Sequence, residues 1–169
     1  LAALLLSYQA RAESEALQNC RNLMYSADGA SSCFRELLNG TSDPALRAEA
    51  LWGMGDFQGA NRAFQTAVRG SPGDADLRTR WGELYLAAYQ LADARTLFME
   101  ALASEEDNVD AVVGLAEVAA AGFEGGARDA VAHALGLQED HPGANMLLAK
   151  LYLESQEVAA ARAVLMGVL

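Results

Sequence analysis

The chain has 169 residues, 52% of them hydrophobic, with three prolines and a formal charge of −11. That is enough apolar content to bury one continuous core, and it excludes a disordered chain. The negative field disfavours nucleic acid and anionic lipid as partners, because both are bound through Lys and Arg that displace counterions.

The first residues, Leu1-Ala-Ala-Leu-Leu-Leu6 followed by Ala10-Arg11-Ala12, admit two readings. They are the end of a secretory signal peptide over residues 1–12, which places the mature protein in the periplasm or outside the cell, or the amphipathic end of an earlier helix in a cytoplasmic protein. No other segment approaches the ~18 apolar residues of a membrane span, so no integral membrane segment is expected in the mature chain.

Residues 13–40 read as an irregular hairpin, with helices over Glu13 to Tyr25 and Ala30 to Leu38 and a turn at Ser26-Ala-Asp-Gly29. Cys20 and Cys33 are centred on that turn, so an antiparallel hairpin brings them opposite each other. In an exported chain they would form a disulfide worth about 3 kcal/mol; in a reducing compartment they would fill small-residue sites as free thiols.

From Thr41 onward a period emerges. Ala60, Ala94, Ala127 and Ala161 lie 34, 33 and 34 residues apart, and each is followed four positions later by Phe64, Phe98, Val131 or Leu165. A further small residue, Ala48, Gly82, Ala116 or Ala149, stands about a dozen positions before each. Alanine, leucine and glutamate dominate and no strand-like alternation occurs, so helix is the expected element throughout. Gly55-Asp56 and Gly122 supply turns within repeats, while Ser71-Pro72-Gly73-Asp74 and His141-Pro142-Gly143 break the chain between them.

This pattern resembles the tetratricopeptide repeat family, whose unit of about 34 residues carries small residues at its positions 8 and 20. Four repeats follow, at 41–74, 75–108, 109–141 and 142–169, the second being the best copy through Trp81-Gly82, Tyr85, Ala94, Phe98 and Ala101. The resemblance implies an all-α, right-handed α-solenoid of antiparallel helix hairpins, of bacterial type. Arg47 departs from it, standing where a bulky apolar residue is usual, and Gly122-Phe-Glu-Gly-Gly126 loosens the third turn. The fourth repeat stops without a polar capping helix, so the stack is expected to continue, and self-association through that end is open.

In this family the first helix of each repeat lines a concave groove. Carried over by position, the groove residues are Glu49 and Trp52, then Asp76, Thr79, Glu83 and Leu86, then Asp110, Val113 and Glu117, and last Met146, Lys150 and Leu153. Glu49, Glu83 and Glu117 share one repeat position and are expected to form an acidic stripe, suited to a basic and partly apolar peptide. The alternative is that these charges solvate an open surface.

Catalytic chemistry finds no support. His133 and His141 lack a third metal ligand and read as solvated surface residues. The glycine-rich turn has neither the preceding strand nor the following Lys-Ser/Thr of a phosphate loop, and Ser31-Ser32-Cys33 has no neighbouring base. No cofactor and no metal are expected. The chain reads as a protein-binding scaffold, or alternatively as the non-catalytic repeat region of a larger exported enzyme.

Overall fold

A computed structural model describes residues 14–23 and 29–168, the side chain of residue 168 excepted. The proposed leader at 1–12 and most of the first turn lie outside them. The described residues form ten α-helices and no strand: α1 (residues 14–23), α2 (Ala30–Gly40), α3 (Pro44–Gly53), α4 (Phe57–Gly70), α5 (Ala75–Ala87), α6 (Leu91–Ser104), α7 (Val109–Ala121), α8 (Ala127–Leu137), α9 (Pro142–Glu154) and α10 (Val158–Val168). They divide into two compact units, Leu1–Pro72 and Gly73–Leu169.

Helix starts follow from short polar side chains. Asp43, Asp56, Asp74 and Asn108 each accept a backbone N–H in the first turn of the helix that follows, a cap worth about 1 kcal/mol. Pro44 and Pro142 open α3 and α9, where a missing N–H costs nothing.

The turns inside the four regular hairpins share one geometry. Gly55, Tyr89, Phe123 and Gln156 adopt left-handed backbone, with φ of 81°, 58°, 54° and 63°. Each donates its N–H to the carbonyl three residues back, and the next residue donates to the carbonyl five back, as in Gln90 to Tyr85 and Glu124 to Ala119. These bonds satisfy the orphan carbonyls of the preceding helix. Glycine suits the conformation best, since an L residue there costs about 1 kcal/mol.

In the first unit, Cys20, Phe34, Leu37 and Ala50 form the core between α1, α2 and α3, and a disulfide joins Cys20 to Cys33. Phe34 lies flat on Gly53, where an added Cβ would come within 2.4 Å of the ring. Arg47 does not occupy an apolar site: its guanidinium donates to the carbonyl oxygens of Leu38 (3.3 Å) and Thr41 (3.5 Å), satisfying the end of α2. Trp52 packs edge-on against Phe64 of α4, with ring centroids 6.5 Å apart.

The second unit stacks three hairpins. The small residues that mark the period lie inside: Gly82 and Ala94, Ala116 and Ala127, and Ala149 and Ala161 are all buried. Phe98 of α6 wedges between α5 and α7, and a Cβ on Gly82 or Gly114 would approach its ring to 2.7 or 2.4 Å. Helix α7 is apolar on nearly every side. Its Ala111 and Val118 join the Phe98 core, while Val112, Val113 and Ala116 join a second core with Val131, Ala144 and Leu147. A central helix sandwiched between two neighbours is the arrangement a stacked repeat requires.

Candidate functional site

The helices α5, α7 and α9 bound an open cleft of about 310 Å³ in the second unit. Leu86, Tyr89, Ala120, Ala121, Met146 and Leu147 give it an apolar lining, and Glu117 and Lys150 supply its charged groups. Met146 is 64% exposed. The Glu117 carboxyl is pushed above the ordinary carboxylate range, chiefly because burial disfavours the charged form, with the Lys150 ammonium pulling the other way. The cleft thus offers apolar surface with one group of each sign.

Of the groove residues carried over from the family pattern, Leu86, Glu117, Met146 and Lys150 line this cleft. Leu153 is exposed on α9 outside its lining. Three others serve packing instead. Val113 is buried in the core. Thr79, also buried, donates to its own helix at Ala75 and approaches Asn108 Oδ1 at 3.3 Å. Asp76 accepts from Asn108 Nδ2 at 3.0 Å, so Asp76, Thr79 and Asn108 pin α5 to the start of α7.

The same pin recurs one hairpin on, with different chemistry. Asp110 lies 2.9 Å from His141 Nε2, and His141 Nδ1 accepts the Ala144 N–H that begins α9. Because Nδ1 accepts, the proton sits on Nε2 and points to the carboxylate. His141, expected as a solvated loop residue, is therefore a helix cap whose side chain is 12% exposed.

An acidic stripe does not form as an open surface. Glu49 is 8% exposed and pairs with Arg21 at 2.9 Å. Glu83 pairs with Arg80 one turn earlier, and Glu117 has Lys150 beside it. Each glutamate has a cation close by, which the repeat position alone could not reveal. The outer helices carry a second repeating pair: Arg95 meets Glu124, and Arg128 meets Glu157, both at 2.6 Å. The glycine-rich turn of the third hairpin is thereby tied to α6.

Sequence reasoning missed Tyr89, an exposed turn residue at the edge of the cleft, and Asn108 and His141, which look like ordinary loop residues. Their signal was the 33-residue spacing of Asn108 and His141, each one residue before a helix. Among the described residues no group of three or more His, Cys, Asp and Glu side chains could hold a metal ion, and no helix is long and apolar enough to cross a membrane.

Residues 51–100 match the family model described as tetratricopeptide repeat, while no curated protein matches the chain. Among solved structures, a thermophilic TPR protein of Thermus thermophilus is similar over 93% of this chain and 90% of its own, at 22% identity and a TM-score of 0.73. MamA of Desulfovibrio magneticus RS-1 is similar over 94% and 92%, at 18% identity and a TM-score of 0.60. Pseudomonas aeruginosa pilF is similar over 92% and 74%, at 15% identity and a TM-score of 0.63. The helix pairs, their buried small residues, the family match and the shared fold agree: residues 51–100 match the tetratricopeptide repeat, and the chain has the all-α helical-repeat fold of these solved structures.

Proposed function

We propose that the protein is a non-catalytic scaffold whose second unit holds a segment of a partner protein in the cleft between α5, α7 and α9. The observation that carries this is the cleft itself, apolar along Leu86, Ala120, Met146 and Leu147, with Glu117 and Lys150 to orient a bound chain. Apolar anchors desolvated among a few oriented polar groups are the usual source of binding energy. A pulldown with the whole chain tests the reading. A partner that is identified, purified and shown to bind directly should be lost with Met146→Glu and kept with Met99→Glu, a change at an exposed position of α6. Equal binding by both variants would refute the cleft.

We also propose that the protein is exported. The Cys20–Cys33 disulfide supports an oxidising compartment, as does the leader-like opening sequence. Alkylation of the protein in fractionated cells checks it: two blocked thiols in a cytoplasmic fraction would count against export.

A further inference from the structure

Glu49, Glu83 and Glu117 share one repeat position, and the first two each hold a guanidinium. Arg21 reaches Glu49 at 2.9 Å, and Arg80 reaches Glu83. Glu117 has no arginine. None of the described residues donates a hydrogen bond to its carboxylate, and the neighbouring Lys150 ammonium makes its ion pair with Glu154, at 4.0 Å. Its oxygens are nevertheless not sealed inside the protein. Among the described residues, the one fully buried polar side-chain atom without a partner is Arg78 Nε. The Glu117 carboxylate is therefore half-buried, without a donor, and accessible from the cleft that it lines.

A carboxylate that has lost part of its hydration without gaining donors costs free energy, which is why burial raises the pKa of Glu117. A cation that brings its own donors removes that cost. Guanidinium suits the task better than ammonium, because its planar fork matches both carboxylate oxygens and it sheds water more readily. Arginine also carries an apolar stem, for which Leu86, Met146 and Leu147 supply apolar walls. An anion on Lys150 is the opposite choice, but that side chain is 64% exposed and has Glu154 beside it, so it gains little from a further partner. Charge points the same way. The unit from Gly73 to Leu169 has six Lys and Arg against sixteen Asp and Glu, a net of −10, which favours a positively charged ligand.

We propose that the Glu117 carboxylate receives an arginine side chain of a partner protein, as Glu49 receives Arg21 and Glu83 receives Arg80 within the chain itself. This rests on the reading of the cleft as a binding site and names what enters it. The test titrates the isotope-labelled full chain with acetyl-Leu-Arg-Leu amide, and with the same peptide carrying citrulline, which keeps the shape of arginine without its charge. Saturable shifts of the Leu86, Glu117 and Met146 amide signals are expected, with the arginine peptide bound about tenfold tighter than the citrulline one. Glu117→Gln should abolish that preference by weakening the arginine peptide alone. Because glutamine keeps the shape and removes a half-buried charge, the variant should melt at neutral pH no lower than the parent, which separates lost binding from lost fold. Lys150→Gln should leave arginine binding as tight or tighter. No saturable shift, equal affinity for the two peptides, a preference that survives Glu117→Gln, or arginine binding lost in Lys150→Gln would each overturn the proposal. A purified partner lost with Met146→Glu yet bound undiminished by Glu117→Gln would sink the arginine assignment alone and leave the cleft standing.

Discussion

The two compact units solve the same packing problem differently. Leu1–Pro72 is near neutral, with six basic against seven acidic side chains, and holds its irregular first hairpin with a covalent bond between Cys20 and Cys33. Gly73–Leu169 contains no cysteine and carries the net charge of −10. Its hairpins are joined by repeating non-covalent pins: the Phe98 wedge, Asn108 and His141 on the inner helices, and Arg95 and Arg128 on the outer ones. Where the repeat is regular, one residue type at one position serves twice. Where it is irregular, a cross-link replaces that redundancy.

The largest expected effect breaks the regular unit. Phe98→Ala should destabilise Gly73–Leu169 by about 3–5 kcal/mol, because the ring is fully buried between two glycines and leaves a cavity. Hydrogen exchange should show the loss in α5, α6 and α7, with α2 protected as before. The converse test is Cys20→Ser with Cys33→Ser, expected to cost about 3 kcal/mol and to speed exchange in α2 while α6 is unaffected. If either change melted both units equally, the division would be wrong.

Asn108→Ala comes next. It removes a helix cap and leaves Thr79 and Asp76 without that partner, so chemical denaturation should report a loss of about 1–3 kcal/mol. In the opposite direction, Gln156→Gly should stabilise the second unit by about 0.5–1 kcal/mol by relieving its left-handed backbone.

The smallest effect concerns Glu117. Burial raises its folded pKa above the unfolded one, so its contribution to stability is fully present below the unfolded carboxylate pKa and is lost as pH rises through the folded value. Glu117→Gln should flatten that decline, narrowing the difference in melting temperature between about pH 4 and about pH 7. An unchanged pH profile would show that Lys150 offsets the burial.

The all-α hairpin fold was legible because it rests on local chemistry. Alternating small and bulky residues recur at a fixed period, and Asp, Asn, Gly and Pro punctuate them at positions where a helix must begin or end. Part of the cleft was legible for the same reason, since Leu86, Glu117, Met146 and Lys150 follow the repeat register. The register does not say what faces a residue from the next hairpin. Asp76 and Asp110 looked like groove charges, but stacking brings Asn108 and His141, some thirty residues away, against them. Glu49 looked like part of an acidic stripe until Arg21 of α1 covered it. The sequence by itself determined that the chain is helical and repeats as hairpins, and where the glycine-marked ones close, because those features follow from neighbours within one turn. Only the tertiary structure decided which polar side chains are consumed as pins and which stay open to a partner, because that depends on atoms a whole repeat away.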